Sequence, residues 1–333
     1  MIDAKNTSPS DDIPLVVILG PTASGKTKLA IDLATKIDGE IISADSRQVY
    51  RGMDIGTGKD FADYLPFFAQ DEKSTSGIER LHLVDIIEAG ESYNVAWFQR
   101  DFQQAYKAII ARQRTPILCG GSGMYIEAIL QNYENTQVPI NQLLRDNLEQ
   151  KTDEQLQALF KEKYKNDNQK PDTSTRKRLI RAIEIGDWML EREINQSESN
   201  NIPFSIKHSI IFGISIPVEV RRARITKRLN ERLENGMIEE VKNLLEKGVP
   251  PEKLIFYGLE YKFITEYLMG QLGYDEMVKR LEIAIHQFAK RQMTFFRSME
   301  RKNLKINWLD GLLSIEILTD QILNFIKNER NDV

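Results

Sequence analysis

Residues 20 to 27 read Gly20-Pro21-Thr22-Ala23-Ser24-Gly25-Lys26-Thr27, the full G-x-x-x-x-G-K-[ST] pattern of a phosphate-binding loop. An apolar run at 15–19 precedes the loop, and residues 28–37 after it carry apolar side chains at helical spacing. In this strand–loop–helix order, backbone N–H groups and the helix N-terminus surround phosphate oxygens. We expect Lys26 to add a positive charge and the Thr27 hydroxyl to hold Mg²⁺. Such loops are typical of nucleotide-binding and ATP-binding proteins, so this one predicts a phosphate-bearing ligand without identifying it.

The length and composition predict an ordinary soluble protein with one large domain and one smaller one. The chain has 333 residues, of which 41% are hydrophobic and 28% are charged. One cysteine, Cys119, excludes a disulfide framework, and three histidines are too few to suggest a histidine metal cluster. No apolar run approaches the roughly 20 residues of a membrane span, and the polar first dozen residues lack a signal-peptide core. We therefore expect a cytoplasmic protein.

Strand and helix patterns alternate through the first 130 residues. The predicted strands lie at 15–19, 40–44, 83–87 and 116–119. A helix is predicted over 94–113, beginning at Asn94, which is a good N-cap residue. This alternation predicts an α/β fold, with a P-loop NTPase-like parallel sheet flanked by helices.

Residues 131–204 depart from this alternation. They contain hardly any strand signal, and helical periodicity appears at 143–164 and 176–192. A strand pattern resumes at 209–216. The later predicted elements are helices at 219–235, 237–247, 260–268 and 274–298, a strand near 306–309 and a last helix. The predicted domains are a discontinuous catalytic core at 13–130 and 205–310, an inserted all-helical domain at 131–204, a flexible tail at 1–12 and a C-terminal helix at 311–333.

Three loops at the carboxyl ends of predicted strands carry reactive groups: the phosphate loop, residues 45–48 and residues 120–123. Asp45 can hold Mg²⁺ through water or accept a proton from a nucleophile; the alternative is an ordinary turn or cap residue. The pair Gly120-Gly121 allows close approach of a ligand, and Ser122 offers a hydroxyl there. The alternative for these residues is a simple helix entry.

Positive charge is clustered at 176–181, 221–232 and 290–302, although the net charge is −4. Each cluster is either a local basic face or a solvated helix face with i,i+4 partners. On the residues alone, two enzyme classes remain. One is a small-molecule kinase with the insertion as its lid, and the other is a transferase whose phosphate loop holds a diphosphate leaving group. A non-catalytic nucleotide switch is a third, weaker option, because no guanine-reading motif appears.

Further blocks of sequence resemble the tRNA dimethylallyltransferase (isopentenyltransferase) family. The blocks lie at 42–57, 82–85, 120–125, 178–184, 224–228, 236–241 and 287–292, so the resemblance runs from about residue 14 to 309. Asp-Ser-Arg-Gln-Val-Tyr at 45–50 and Ala-Lys-Arg-Gln at 289–292 are far more specific than the phosphate loop.

The resemblance implies transfer of a dimethylallyl group from dimethylallyl diphosphate to N6 of the adenosine 3′-adjacent to the anticodon of tRNA. It implies that Asp45 accepts the N6 proton, that Ser122 assists and that Arg228 contacts the diphosphate. The residues implied to hold the diphosphate are Gly20, Pro21, Thr22, Ala23, Ser24, Gly25, Lys26 and Thr27, with Thr27 as the ligand of the Mg²⁺ cofactor. The residues implied to contact tRNA are Asp45, Ser46, Arg47, Gln48, Arg145, Lys177, Arg178, Arg181, Lys290, Arg291 and Arg297, together with the segment 255–260. We expect a monomer whose partners are tRNA and dimethylallyl diphosphate.

The chain also departs from the family pattern. Ser122 replaces a threonine, His286 stands where the family usually has arginine, and residues 58–60 read Gly-Lys-Asp instead of Ala-Lys-Pro. Residues 257–261 only partly match the family's Gly-Tyr-Arg or Gly-Tyr-Lys segment. The alternatives are therefore an adenylate isopentenyltransferase, which uses free AMP, ADP or ATP, and a P-loop small-molecule kinase. The inserted helices and Lys290-Arg291 favour a large RNA acceptor, since a free nucleotide needs neither.

Overall fold

The computed structural model describes residues 13–61, 63–64, 80–164, 171, 173–194, 206 and 208–331. The chain divides into two compact units, Asn132–Phe204 and the remainder, Met1–Gln131 with Ser205–Val333. The smaller unit covers nearly the same residues as the insertion predicted at 131–204. The tail predicted at 1–12 lies outside the described residues.

A six-stranded parallel sheet forms the centre of the larger unit as far as the structure describes it. The strands are β1 (Leu15–Leu19), β2 (Gly39–Ser43), β3 (Leu81–His82), β4 (Thr115–Gly120), β5 (Ser209–Ser215) and β6 (Ile306–Asp310). Their order across the sheet is β3-β2-β4-β1-β5-β6, and every pairing is parallel. All residues of β1 and β2 are buried, as expected for parallel strands covered on both faces. The predicted α/β fold class is confirmed.

Helices follow the strands in the order that the sequence pattern predicts. Those of the larger unit are α1 (Lys26–Lys36), α2 (Val95–Ala111), α3 (Gly123–Leu130), α7 (Val218–Glu234), α8 (Met237–Glu246), α9 (Pro251–Tyr257), α10 (Leu259–Leu268), α11 (Tyr274–Glu300) and α12 (Ile315–Asn331). Asn94 caps α2 as predicted, because its Oδ1 accepts hydrogen bonds from the N–H groups of Ala96 and Trp97 at 2.9 and 3.1 Å.

Two apolar clusters hold this unit together. In the first, Leu33 of α1 and Ile322 of α12 are buried with strand residues such as Ile18. In the second, the five helices α7 to α11 pack against the loop that follows β2, with Met53 and Tyr261 fully buried. Each large apolar side chain removed from water contributes about 1.5–3 kcal/mol, so the second cluster fixes that loop to five helices.

Glu40 is a carboxylate buried within β2, where it accepts hydrogen bonds from two arginines and faces a histidine. Arg112 donates to it from Nε at 2.8 Å and from Nη2 at 2.7 Å, and Arg114 donates from Nη1 at 3.1 Å. His82 Nε2 lies 2.6 Å from its Oε2. Burial alone raises the pKa of Glu40, but the hydrogen bonds from His82, Arg112 and Arg114 outweigh burial and lower that pKa to about 2.

One prediction for the larger unit is wrong, and one helix was not predicted. The strand predicted at 83–87 lies instead at β3, because Leu83 and Asp85 have φ angles of 61° and 54°, which no strand accommodates. Helix α9, for which no prediction was made, begins at Pro251. Pro251 occupies the first helical position, where the missing N–H needs no intrahelical partner.

The described part of the smaller unit is helical. Its helices are α4 (Gln142–Glu149), α5 (Asp153–Lys163) and α6 (Arg176–Ile194), with Leu156, Phe160 and Ile183 in a shared apolar core. The periodic stretch predicted at 143–164 is two helices, because Thr152 forms a capping box with Gln155 and begins α5. No helix in the described parts of either unit is long and apolar enough to cross a membrane.

Candidate active site

Three loops meet at the carboxyl edge of the sheet. The phosphate loop follows β1, the turn at Asp45 follows β2, and the loop at 120–123 follows β4, which lies between those two strands. A cavity of about 60 Å³ opens there, and its lining includes Thr22, Lys26, Asp45 and Arg228. The topology therefore gathers residues from distant parts of the larger unit into one site.

The phosphate loop has the conformation that anion binding requires. Gly25 has a φ of 90° and Ala23 a φ of 62°, so the chain turns sharply before α1 begins at Lys26. Glycine readily adopts such an angle, whereas alanine does so at a cost. No side chain caps α1, which leaves its first N–H groups to other acceptors. Together with the helix dipole, those groups favour an anion.

Lys26 lies across its own loop. Its Nζ donates to the carbonyl oxygen of Pro21 at 3.4 Å. Burial lowers the pKa of Lys26, while the negative charge of Asp45 opposes that shift. Burial also raises the pKa of the neighbouring Cys119 thiol to about 12, so that cysteine is not a nucleophile at neutral pH.

Arg228 and Gln292 both bind Thr22. Arg228, from α7, donates a hydrogen bond to the Thr22 hydroxyl, and burial followed by repulsion from Arg232 lowers the pKa of Arg228 to about 10. Gln292, from α11, accepts from the Thr22 N–H at 2.9 Å and donates to the Gly121 carbonyl at 2.9 Å. One amide side chain thus joins the phosphate loop to the loop after β4.

Asp45 lies in a tight turn at the end of β2. Its Oδ1 accepts from the backbone N–H of Arg47 at 3.0 Å, and Ser122 Oγ accepts from the backbone N–H of Ser46 at 3.2 Å. Gln48 accepts from the Ser43 hydroxyl at 2.8 Å. The structure therefore places Asp45 in the cavity with its turn held by Ser122.

Glu240 binds residues 54–56, which continue the loop that begins at Asp45. Its carboxylate accepts from the backbone N–H groups of Asp54, Ile55 and Gly56 at 2.8, 2.7 and 3.0 Å, and from the Tyr261 hydroxyl at 2.7 Å. Four donors converge on one carboxylate, and hydrogen bonds to a charged acceptor are stronger than neutral ones. Helix α8 thereby fixes the loop that begins at Asp45.

The donor set around Thr27 is compatible with Mg²⁺ bound mainly through substrate. Thr27 and Asp45 line the cavity beside Lys26. Within the described ranges, no three His, Cys, Asp or Glu residues converge as a protein cage for a metal. Mg²⁺ is commonly held by one or two protein oxygens with phosphate oxygens and water, and a threonine hydroxyl at this position suits that arrangement.

The residues predicted to contact tRNA fall into exposed and internally paired groups. Lys290, Arg291 and Arg297 are exposed on α11 in the larger unit. In the smaller unit, Lys177 and Arg178 are exposed, and Arg178 donates to the Ser174 hydroxyl at 2.8 Å.

Arg145 and Arg181, also predicted to contact tRNA, bind Glu184 within the smaller unit. Arg145 donates to Glu184 from Nε at 3.0 Å and from Nη2 at 2.7 Å, while Arg181 donates to the same carboxylate and to the Val138 carbonyl, the latter at 2.7 Å. Their side chains are 29% and 27% exposed. Both arginines therefore stabilise their own unit, and any contact with RNA uses the part of each guanidinium that remains exposed.

Sequence reasoning gave no role to Gln292 or Glu240, and it gave Glu260 only a tRNA contact, as part of the segment 255–260. Gln292 and Glu260 are polar residues buried on otherwise apolar helix faces, at 8% and 5% exposure. A polar residue at a core position of an amphipathic helix needs a partner, and that is the signal available from sequence. The partners themselves lie in loops far along the chain.

A sequence model of the IPP transferase family matches residues 48–299. The chain belongs to this family. The tRNA dimethylallyltransferase 1 of Parabacteroides distasonis is 49% identical over 316 residues, which cover 95% of this chain and 98% of that relative. The tRNA dimethylallyltransferase 2 of Porphyromonas gingivalis is 51% identical over 299 residues, covering 90% and 94%. The resemblance found in the sequence is confirmed.

The fold is also that of a solved family member. The crystal structure of a full-length tRNA isopentenylpyrophosphate transferase from Bacillus halodurans is similar with a TM-score of 0.64 and 30% identity. The match covers 96% of this chain and 97% of that one. The similarity therefore spans both the sheet-containing unit and the helical insertion of this IPP transferase family member.

Proposed function

We propose that this protein transfers a dimethylallyl group from dimethylallyl diphosphate to N6 of the adenosine that follows the tRNA anticodon. The observation that carries the proposal is one cavity that combines an anion-binding loop, Lys26 and Arg228 with the carboxylate of Asp45. A kinase can use the same cations and an acidic residue, so the choice of alkyl transfer rests on the family to which the chain belongs. Alkyl transfer to an amine uses both sets of groups, because a diphosphate leaves and a proton must be removed.

The cations support departure of the diphosphate. The bond between C1 of the dimethylallyl group and the diphosphate oxygen breaks as negative charge grows on that oxygen. Lys26 and Arg228 lie where they can donate to it, and preorganised donors of this kind typically supply about 100- to 1,000-fold in rate each. The N–H groups at the start of α1 add to this stabilisation.

Asp45 accounts for the removal of the proton from the acceptor. As N6 of adenine forms its bond to C1, one N6 proton passes to the Asp45 carboxylate, and diphosphate is released. The turn at Asp45 is fixed by the Arg47 N–H and by Ser122, so the carboxylate is oriented before the acceptor arrives. An adenosine in an anticodon loop must leave its stack to reach this cavity.

We propose Mg²⁺ as cofactor, held by Thr27 and the phosphate oxygens of the substrate. When bound, the ion neutralises charge on the leaving diphosphate. The protein groups named above carry the remaining steps: binding the diphosphate, orienting the carboxylate and accepting the proton.

The exposed cations of α11 support the assignment of tRNA as acceptor. Lys290, Arg291 and Arg297 lie on the helix that also supplies Gln292 to the active site. A basic track that continues from a catalytic cavity suits a phosphate backbone. We also propose a cytoplasmic enzyme that acts as a monomer. Size-exclusion chromatography with light scattering tests the monomer.

The decisive experiment offers labelled dimethylallyl diphosphate with an unmodified tRNA transcript, AMP or ATP as acceptor. We expect label in tRNA, and a large loss of transfer with Asp45→Asn but not with Asp320→Asn, an exposed aspartate on α12. Label only in AMP or ATP indicates an adenylate isopentenyltransferase. Phosphate transfer from ATP without prenyl transfer indicates a kinase. Near-normal turnover by the Asp45 variant shows that another group accepts the proton.

A further inference from the structure

Arg47 bridges the carboxylate of Asp45 to a second carboxylate, that of Glu260. Its Nη1 donates to Glu260 Oε2 at 2.9 Å, and its Nε lies 3.5 Å from Asp45 Oδ1. The side chains of Arg47 and Asp45 are each 18% exposed, and that of Glu260 is 7% exposed. The guanidinium is therefore held between two carboxylates at the edge of the cavity.

The chain is built to admit this contact. Glu260 lies in the first turn of α10, which begins at Leu259 directly after Gly258, where α9 and α10 meet. Gly258 has a φ of 155°, and a Cβ there would lie 2.9 Å from Cδ of Arg47. A larger residue at 258 would push against the arginine. Tyr261, the next residue after Glu260, is anchored on Glu240, so the first turn of α10 has little freedom to move.

The two carboxylate oxygens of Asp45 differ in their hydrogen bonds, and this difference gives the Arg47 bridge its significance. Oδ1 accepts from the Arg47 backbone N–H at 3.0 Å and faces Nε of the same residue. Among the described residues, Oδ2 accepts no hydrogen bond, which leaves it to an incoming N–H group. An arginine that faces a carboxylate alone prefers a bidentate pair, with one N–H on each oxygen. To form such a pair with Asp45, the Arg47 guanidinium would have to rotate toward Oδ2. Glu260 opposes that rotation by holding Nη1.

We propose that Glu260 is a positioning residue for the transfer reaction: it holds the Arg47 guanidinium away from Oδ2 of Asp45, so that this oxygen stays open to the N6 proton of the acceptor. The inference rests on the proposed role of Asp45. Glu260 itself contacts neither donor nor acceptor, in contrast to the tRNA contact that the family resemblance implies for this segment. Its role is to keep the base accessible.

The test compares Glu260→Gln, Arg47→Met and the double variant by steady-state transfer of dimethylallyl groups to a tRNA transcript. For Glu260→Gln we expect kcat to fall about 10- to 100-fold with the KM for dimethylallyl diphosphate unchanged, because the released guanidinium covers Oδ2. For Arg47→Met we expect a loss of only about threefold to tenfold, since the backbone N–H still holds Oδ1. The double variant should be more active than Glu260→Gln alone. A purely structural role for Glu260 does not produce that rescue.

The matched control is Glu266→Gln on the same helix. Glu266 lies 3.9 Å from Lys262 Nζ, and neither residue lines the cavity. This variant should keep normal kcat. If Glu260→Gln does not fold, Glu260→Asp carries the test, with an expected threefold to tenfold fall in kcat at unchanged KM for the donor.

A kcat within threefold of normal for the glutamine variant, or for the aspartate variant where it carries the test, overturns the inference. So does a double variant less active than Glu260→Gln. If the unmodified chain transfers nothing to tRNA, the proposed function fails as well. If it transfers normally and the Glu260 variants do too, only the role of Glu260 fails.

Discussion

Gln292 offers the sharpest test of how the phosphate loop is held, and the change to make is Gln292→Met. Methionine keeps the length and apolar stem of the side chain but removes both the acceptor and the donor. The Thr22 N–H then loses its 2.9 Å partner, and the Gly121 carbonyl loses another at 2.9 Å. Helix α11 would no longer be tied to either loop through this residue.

The size of the effect follows from the burial of the two groups. Gly121 is buried, so its unpaired carbonyl costs about 1–3 kcal/mol, while the half-buried Thr22 N–H can find water and costs about 1 kcal/mol or less. We take about 2 kcal/mol as the combined cost of leaving the Gly121 carbonyl and the Thr22 N–H without their partner. In kcat/KM for dimethylallyl diphosphate this corresponds to a loss of about 30-fold, because the loop must be reordered each time the donor binds.

The assay is steady-state transfer at saturating tRNA with the donor varied, alongside thermal unfolding. Gln287→Met, an exposed position on the same helix, is the control and should leave kcat/KM for the donor unchanged. Gln292→Glu keeps the acceptor for Thr22 but places a negative charge beside the diphosphate, so we expect a larger loss than with methionine. If a folded Gln292→Met enzyme stays within threefold of normal kcat/KM, the amide does not organise the phosphate loop and the reasoning is refuted.

Three further predictions concern stability and RNA binding. Glu40 has a folded-state pKa of about 2 against an ordinary 4.5, so its contribution of about 3 kcal/mol is present above pH 4.5 and is lost as the pH falls towards 2. Urea unfolding should show that Glu40→Gln is destabilised at pH 7 and that the difference from wild type shrinks below pH 4.5. Glu240→Gln should cost about 2–3 kcal/mol of unfolding free energy and lower activity, since an amide cannot accept from all four donors; Glu239→Gln, exposed on the same helix, should do neither. Lys290→Ala should weaken tRNA binding and reduce the slope of log Kd against log salt by about 1, whereas Lys279→Ala should leave that slope unchanged in a filter-binding titration.

The fold was predictable because its strongest signals are local. The apolar run at 15–19, the phosphate loop and the helical spacing at 28–37 each lie within a few residues, and each predicts its element directly. The strand at 81–82 is different: two residues are too few to show a period, and the better-looking run at 83–87 is stopped by positive φ angles that no pattern reveals. For helix α9 no prediction was made, and a proline at the first helical position looks like a break.

Within the site, the residues whose roles were found from sequence lie in motifs, whereas the contacts that were missed join distant parts of the chain. Lys26 and Asp45 are visible because their neighbours in the chain define them. Gln292 binds Thr22 across 270 positions, and Glu260 binds Arg47 across 213. Helical spacing shows that such a polar residue faces the core, but it does not identify the backbone group or side chain that forms its hydrogen bond.

Lys26 and Arg228 donate to weak acceptors, and this bears on the proposed binding of a diphosphate. Lys26 donates to a carbonyl at 3.4 Å, a long contact, and Arg228 donates to a neutral hydroxyl on Thr22. Both bonds have a charged donor and a neutral acceptor, and a diphosphate would replace each neutral acceptor with a charged oxygen that adds attraction between opposite charges. Exchanging the carbonyl and hydroxyl for diphosphate oxygens is therefore favourable at both cations. The same contacts hold Lys26 and Arg228 close to the loop, so the proposed donor would meet both cations with little rearrangement.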